Sequence, residues 1–157
     1  MKNKLLTSAA VTAGLTVAML GGATASVSAA PTAAPVTAAV TCTGAGCDHK
    51  DPYDSGCGAS RVEAGRKASS KGTFFLYYST VCKTNWIEVP NYGGGTPSLE
   101  LSVEDTGRGK IVRYDARPTP GRHYGNLIYS PGSTCAFGLA DWDADSTWEV
   151  IVPSSGC

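Results

Sequence analysis

Three carboxylates near the C-terminus recur at every second position: Asp141, Asp143 and Asp145. Oxygen ligands with this spacing open the calcium-binding loop of an EF-hand. An EF-hand itself is excluded, because its loop needs glycine at position six and glutamate at position twelve, where this chain has Ser146 and Val152. The three aspartates are therefore candidates for a looser calcium site, with Glu149 or backbone carbonyls as further ligands. The alternative is a solvated turn between two strands, since aspartate is common in turns.

Four aromatic residues in or near expected loops could hold a sugar ring by stacking: Tyr53, Tyr92, Tyr124 and Trp142. This binding interpretation is favoured by the concentration of binding residues on loops. The alternative for each residue is a place in or beside the core, because aromatic side chains dominate the cores of small β domains. We expect Trp86 and Trp148 to be core residues.

The residue types needed for hydrolysis are scarce. The chain has two histidines, His49 and His123, and lacks the Gly-x-Ser-x-Gly and His-Glu-x-x-His motifs. A glycosidase needs two facing carboxylates, and a sequence with 13 acidic residues does not single out such a pair. We therefore predict no catalytic residue and no cofactor, and the balance is against an enzyme.

A polar cluster precedes the first expected strand: Asp48, His49, Asp51 and Asp54. Asp51 stands before Pro52, where an aspartate commonly starts a turn, and we expect Asp48 to bond nearby amides in the same way. One histidine among turn-forming aspartates is weak support for a metal site. We predict a structural loop here and no metal.

The N-terminus has the features of a secretory signal peptide. Lys2 and Lys4 precede an uncharged, mostly apolar stretch over residues 5–20, and small residues then offer cleavage sites after Ala25 or Ala29. The apolar stretch is short for a transmembrane helix and is interrupted by threonine and glycine. We therefore predict an exported protein.

Three segments follow from this assignment: a signal peptide over 1–29, an Ala/Thr/Pro leader over 30–41 and one folded domain over 42–157. Loss of Lys2 and Lys4 leaves 11 of the 13 basic residues against 13 acidic ones, a net charge of −2 with neutral histidines. Such a balance offers no basic patch for nucleic acid. We expect a secreted monomer that does not insert into a membrane after cleavage.

All six cysteines lie in the predicted folded domain: Cys42, Cys47, Cys57, Cys82, Cys135 and Cys157. An even number in an exported domain indicates three disulfides, for which fifteen connectivities exist. We favour a bond between Cys135 and Cys157, and one between the 42–57 segment and Cys82. The spacings differ from the paired short spacings of structural zinc sites.

The densest run of aromatic and β-branched residues spans 72–90, which indicates a strand, a turn and a second strand. Apolar residues on both sides of Phe74–Tyr78 predict a central strand buried on both faces, and Pro90 is expected to end the strand that follows. Leu99, Leu101 and Val103 alternate with polar residues, as in a half-buried strand.

Further strands are expected over 61–68, 85–89, 110–115, 123–130, 134–139 and 147–152. Short strands separated by turn residues, with no helical apolar spacing, predict an all-β protein. The expected architecture is a single small antiparallel β-sandwich or barrel, braced by disulfides.

The order of cysteines and polar residues between 42 and 86 is similar to that of a known family. The matching residues are Cys42-x4-Cys47-Asp48-x-Lys50-Asp51-Pro52, then Cys57, then Leu76-x-Tyr78-Ser79-x-x-Cys82-x3-Trp86. This pattern resembles domain of unknown function 2690, a secreted family of actinobacteria and other Gram-positive bacteria. Asn126–Gly132, Cys135 and Cys157 are similar to its C-terminal part, whereas His49 and Glu88 depart from its pattern. The resemblance implies an extracellular location and a cysteine framework, and no activity.

These observations favour an extracellular or cell-envelope-associated binding or interaction module. Its expected partner is a cell-wall glycan or an extracellular protein. Two alternatives stay open at this point. One is a secreted hydrolase with a carboxylate site that the sequence does not locate, and the other is a protease inhibitor that presents a cystine-braced loop over 48–55.

Overall fold

Two antiparallel sheets pack face to face in the computed structural model, which describes residues 39–157. The first sheet contains β1 (Arg61–Ser69), β2 (Gly72–Ser79), β3 (Thr84–Tyr92), β6 (Gly121–Tyr124) and β7 (Ile128–Tyr129). The second contains β4 (Glu100–Asp105), β5 (Lys110–Val112), β8 (Ala136–Asp141) and β9 (Val150–Pro153). The molecule is thus an all-β sandwich and not a closed barrel. The expected signal peptide and nearly all of the leader lie outside the described residues.

The strands run in the order β1-β2-β3-β6 in the first sheet, with β7 also paired to β3, and β5-β4-β8-β9 in the second. Two 3-10 turns, Gly44–Cys47 and Cys57–Ser60, precede the strands. Among residues 39–157 we find no helix with the length and apolarity needed to cross a bilayer.

The core lies between the sheets and follows from the period of two along each strand. Phe74 and Leu76 of β2 share this core with Leu101 and Val103 of β4, and all four side chains are fully buried. Leu101 and Val103 thus face the core as the alternation predicts, but Ser102 on the opposite side is also fully buried, so only Glu100 and Glu104 of that side are partly exposed.

The prediction that β2 is buried on both faces is wrong. Phe74 and Leu76 are buried, whereas Phe75 and Tyr77 on the other side of the strand are only half-buried. The reason is that a sandwich covers one side of each sheet, so the outer side of β2 depends on loops for cover. These two side chains are therefore available at the surface.

Pro90 does not end the third strand, which continues to Tyr92. The pairing of β3 with β6 shifts register between Val89 and Tyr92, so the residue without an N–H lies at an irregularity of the ladder. The expected strand over 123–130 is also divided, into β6 and β7. Gly125 lies between the two strands, where an added Cβ would stand 2.7 Å from the carbonyl oxygen of Leu101.

The expected environments of the two C-terminal tryptophans are reversed: Trp142, expected in a loop, is in the core, and Trp148, expected in the core, is not. Trp142 is only 7% exposed and stacks on Phe74 in the core, with 5.8 Å between ring centroids. Trp148 precedes β9, is half-buried, and has the guanidinium of Arg113 above its ring. Trp86 is fully buried, as expected.

Three disulfides use all six cysteines: Cys42–Cys47, Cys57–Cys82 and Cys135–Cys157. The second and third agree with the pairs favoured from the sequence. Cys47, Cys57 and Cys82 pack with Trp86 and Leu127 in a second, smaller core on the outer side of the first sheet. The segment before β1 therefore folds over one end of that side.

Asp48 does not form the expected local turn. Its carboxylate lies 2.8 Å from Arg108 Nη2 and 2.7 Å from Lys110 Nζ, and it accepts the amide of Tyr129 at 2.6 Å. Burial opposes ionisation, but these hydrogen bonds outweigh it and lower the pKa of Asp48 to about 2. Asp51 does form the expected turn, because its Oδ1 accepts two nearby amides at 2.7 and 3.0 Å.

Candidate binding face

The outer side of the first sheet carries aromatic and basic side chains, although the solvent-facing side of an antiparallel sheet is usually polar. Six residues define what we call the aromatic–arginine face: Tyr53, Arg61, Phe75, Tyr77, Arg122 and Tyr124. The four aromatic side chains are half-buried, and the two arginines are exposed. The face lies beside the smaller core, against which Tyr77 and Tyr124 pack.

Strand register assembles most of this face. Phe75 pairs with Glu88, which pairs in turn with Tyr124, so β2, β3 and β6 contribute one row across the sheet. Tyr77 pairs with Trp86 in the neighbouring row. The rings of Phe75 and Tyr77 are stacked, with 5.8 Å between centroids and 9° between planes. Two residues apart on one strand, they form a continuous aromatic surface.

Tyr53 reaches the face from the segment before β1. Its ring meets Tyr124 edge-on at 4.7 Å between centroids, and it meets Trp86 edge-on at 6.2 Å. Gly58 lies against the same ring, where an added Cβ would stand 2.7 Å from Tyr53 Cδ1. Glycine at this position therefore leaves room for the tyrosine ring.

Glu88 is a buried charge beneath the face, with 4% of its surface exposed. Its Oε1 accepts a hydrogen bond from Arg122 Nε at 2.7 Å, and its Oε2 accepts one from the Tyr53 hydroxyl. A buried carboxylate that loses a partner is strongly destabilising, so both residues are held in place by the same charge.

The protonation states of this set are fixed around neutral pH. Burial opposes ionisation of Glu88, but hydrogen bonds from Arg122 and Tyr53 outweigh it and lower the carboxyl pKa. Burial and the Glu88 carboxylate raise the pKa of Tyr53, and the hydrogen bond to Glu88 raises the pKa of Arg122. The set holds an ionised acid, a neutral phenol and a charged guanidinium, which suits a rigid binding surface better than proton transfer.

The arginines lie over the tyrosine rings. Arg122 Cζ is 4.3 Å from the Tyr53 centroid and 5.2 Å from that of Tyr124. Arg61 Cζ is 5.6 Å from the Tyr77 centroid and 6.0 Å from that of Tyr53. Cation–π contacts of this kind orient exposed side chains, so the face is arranged before any ligand arrives.

The four aromatic binding candidates separate into two pairs. Tyr53 and Tyr124 meet on the aromatic–arginine face, whereas Tyr92 and Trp142 are buried between the sheets. The Tyr92 hydroxyl lies 2.6 Å from Thr96 Oγ1, within a loop that follows β3. The buried pair offers little surface to a ligand.

The loop between β8 and β9 brings only two of the three candidate calcium-ligand aspartates together. Oxygens of Asp141, Asp145 and Glu149 lie within 4.8 Å of one another, and Asp143 is not part of the group. Asp141 Oδ1 accepts the amides of Asp143 and Ala144 at 3.0 Å, as in the turn interpretation. Exposed acidic groups commonly gather without an ion, so the geometry itself assigns no metal.

The 48–55 loop lies against the sheet. Pro52 and Ser55 are buried, and Tyr53 is bonded to Glu88. A protease inhibitor would have to project such a loop away from the body of the domain.

Sequence reasoning missed Arg61, Phe75, Tyr77 and Arg122 as members of the face, and Glu88 as its support. The sequence pattern predicts Phe75 and Tyr77 to lie in a strand buried on both faces. The signal that could have found them is the cross-strand row from Phe75 through Glu88 to Tyr124, which a correct register would have aligned.

Together these features define a disulfide-braced β-sandwich with an aromatic and cationic outer face. Residues 45–137 match the model of the family described as protein of unknown function (DUF2690), and the chain belongs to this family. No curated protein and no solved structure matches the chain significantly.

Proposed function

We propose that the domain is an extracellular binding module that holds a glycan of the cell envelope on the aromatic–arginine face. The observation that carries this proposal is the joined set of four half-buried aromatic rings on the outer side of the first sheet. Binding sites for small ligands combine aromatic surface with a few placed polar groups, and this face has both.

Sugar rings suit such a surface for two reasons. Their C–H edges can lie on the exposed part of Phe75 and Tyr77, whose parallel planes extend over two residues of β2. Their hydroxyl oxygens can accept hydrogen bonds from a guanidinium, which presents several donors in a fixed plane. Arg61 and Arg122 are positioned by tyrosine rings at the margins of this surface.

An extracellular location is part of the proposal. It is supported by the three disulfides, since such bonds form and persist in oxidising compartments. The signal peptide over 1–29 and the leader over 30–41 are the expected means of export. N-terminal sequencing of protein recovered from culture medium should find a new start at Ser26 or Ala30; an intact Met1 on the recovered protein would contradict the signal peptide.

The binding test is retention of the purified mature domain on insoluble peptidoglycan, chitin and cellulose. We expect retention on at least one polymer that persists in high salt, because stacking on aromatic rings is weakly screened compared with charge pairing. Retention on none of them would overturn the glycan proposal and favour an extracellular protein as partner.

Two variants test which side of the sandwich is responsible for any retention on the polymers. Phe75→Ala removes a half-buried ring from the aromatic–arginine face, and Phe137→Ala removes one from β8 in the second sheet. Phe137 makes a matched control because it is also half-buried and alternates with core-facing Ala136 and Gly138. Loss of retention in Phe75→Ala alone is expected; equal retention by both variants would place the binding elsewhere.

A further inference from the structure

A groove of about 260 Å³ opens beside the aromatic–arginine face, at the edge of the first sheet formed by β6. Its polar and aromatic lining consists of Tyr114, Arg117, Thr119, Arg122, His123 and Tyr124. Arg122 and Tyr124 belong to both the groove and the face. A ligand lying on the face can therefore extend into the groove without leaving the protein surface.

The groove carries two arginines and further polar groups. Two guanidiniums and one imidazole line it, and no carboxylate is among its lining residues in the described part of the chain. His123 Nε2 lies 2.6 Å from the carbonyl oxygen of Thr119, which fixes the ring at the groove wall. Two arginines on one small concavity form a site that complements a carboxylate or a phosphate.

Arg117 is the least compensated of these charges. It is exposed and forms no hydrogen bond or ion pair with any residue between 39 and 157. Arg122 differs, because its Nε is bonded to the buried Glu88. That bond uses one nitrogen of the guanidinium, and no carboxylate within 39–157 pairs with the other two.

We infer that the groove is an anion subsite and that the glycan held on the aromatic–arginine face is acidic, bearing a carboxylate or a phosphodiester. The inference rests on the proposed function and narrows its ligand class. The rings accept the sugar, and Arg117 together with the terminal nitrogens of Arg122 accepts the negative group. These cations offset the predicted net charge of −2 locally, so an acidic glycan gains a salt-sensitive contribution in addition to the salt-resistant stacking on the rings.

The test measures the binding of three soluble oligomers to the full mature domain by isothermal titration calorimetry. The probes are tetragalacturonate for a carboxylate, a short poly(glycerol phosphate) for a phosphodiester, and chitotetraose as the neutral sugar. The variant is Arg117→Gln, which removes a charge that has no partner in the folded domain. Arg113→Gln is the matched control, because Arg113 is an exposed arginine that pairs with Glu100 on the second sheet.

We expect at least one acidic probe to bind the native domain more tightly than chitotetraose, with an affinity that falls as salt is raised. Arg117→Gln should weaken that acidic probe by roughly tenfold, the order expected for one charge-assisted hydrogen bond, and leave the neutral sugar unchanged. The acidic probe that binds identifies the anion as carboxylate or phosphodiester.

Equal affinity for acidic and neutral probes, or equal effects of the two arginine variants, would overturn the anion subsite while leaving the glycan proposal in place. The glycan proposal itself would be rejected if all three probes failed to bind and Phe75→Ala were indistinguishable from native protein on every insoluble polymer.

Discussion

Two buried carboxylates, Asp48 and Glu88, each bind cations or donors from distant parts of the chain. Asp48 binds Arg108 and Lys110, and thereby ties the segment before β1 to the turn between β4 and β5. Glu88 ties Tyr53 to β6 through Arg122. Each carboxylate holds together segments that hydrophobic packing alone would leave less precisely placed.

The ionisation of Asp48 should make the stability of the domain depend on acid pH. Folding lowers the pKa of this carboxyl from 3.8 to about 2, so its contribution is complete above the unfolded-state value and is lost as the pH falls toward 2. We expect Asp48→Asn to lower the free energy of unfolding at pH 7 by roughly 2 kcal/mol. Urea titrations at several pH values measure this.

The control for that experiment is Asp54→Asn, which removes an exposed carboxylate from the same loop. It should leave the free energy of unfolding within about 0.5 kcal/mol of the native value. The same acid-pH slope in native protein and Asp48→Asn would show that Asp48 does not carry the dependence.

Variants of Tyr53 can separate the stabilising role of its hydroxyl from the proposed binding role of its ring. Tyr53→Phe removes the hydrogen bond to Glu88 and keeps the ring, so unfolding should become easier by roughly 1–2 kcal/mol with glycan retention preserved. Tyr53→Ala should lose both. Thermal or urea unfolding combined with the polymer assay measures the two effects, and loss of retention in Tyr53→Phe would contradict the stacking role.

The long-range hydrogen-bond partners of single residues were the hardest feature to predict from the sequence. The turn at Asp51 could be predicted because it depends on amides two and three residues away. The partners of Asp48 lie 60, 62 and 81 residues away, and those of Glu88 lie 34 and 35 residues away. Such pairs depend on the packing of whole segments, which local residue patterns do not contain.

Among the elements, β2 has a different role on each side. Its inward residues fill the core, and its outward residues supply half of the aromatic rings of the candidate face. An aromatic run therefore does not by itself distinguish a doubly buried strand from one with an exposed binding side. The alternation in β4 was predictable because glutamate and serine mark its outer side.

The 3-10 turn before β1 should control the position of Tyr53. In Gly58→Ala the new methyl group would overlap the Tyr53 ring, so the ring must move away from Tyr124. We expect weaker glycan retention and a lower melting temperature. Gly46→Ala is the control, because no atom lies within 4 Å of a Cβ at that position. Equal behaviour of the two variants would show that Tyr53 is not held by this contact.

The loop between β8 and β9 should not need calcium. Asp141 Oδ1 already accepts two amides, and Glu149 Oε2 accepts the amide of Trp142 at 3.1 Å. We therefore expect thermal melts in calcium and in chelator to coincide. A higher melting temperature in calcium, abolished by Asp145→Asn, would instead establish the site that the aspartate spacing first suggested.

For the whole molecule, the all-β fold class could be predicted from the sequence, but the choice between an open sandwich and a closed barrel could not. Short strands and turns indicated an all-β fold, and the sandwich rather than the barrel followed from pairings between strands far apart in sequence, such as β4 with β8. The positions of Trp142 and Trp148 depend on where the last loop crosses the end of the core, so they exchanged places.

The three disulfides should differ in their resistance to reduction. Cys157 is exposed and Cys135 is half-buried, whereas Cys57 and Cys82 are fully buried in the smaller core. We expect mild reductant to open Cys135–Cys157 first, because reduction requires access to a sulfur atom. Timed alkylation followed by peptide mass analysis measures the order. Labelling of Cys57 and Cys82 before the C-terminal pair would contradict it, and unreduced protein should take up no label.

If the proposed export and glycan binding hold, the covalent link between Cys57 and Cys82 also determines when the candidate face is completed. Tyr53 lies four residues before Cys57, and this cysteine is joined to the turn between β2 and β3. A newly made chain in a reducing cytoplasm lacks that joint, so one wall of the candidate face is not yet secured. Oxidation after export would then serve as a maturation step, and the cell's own glycan precursors would not be captured during synthesis.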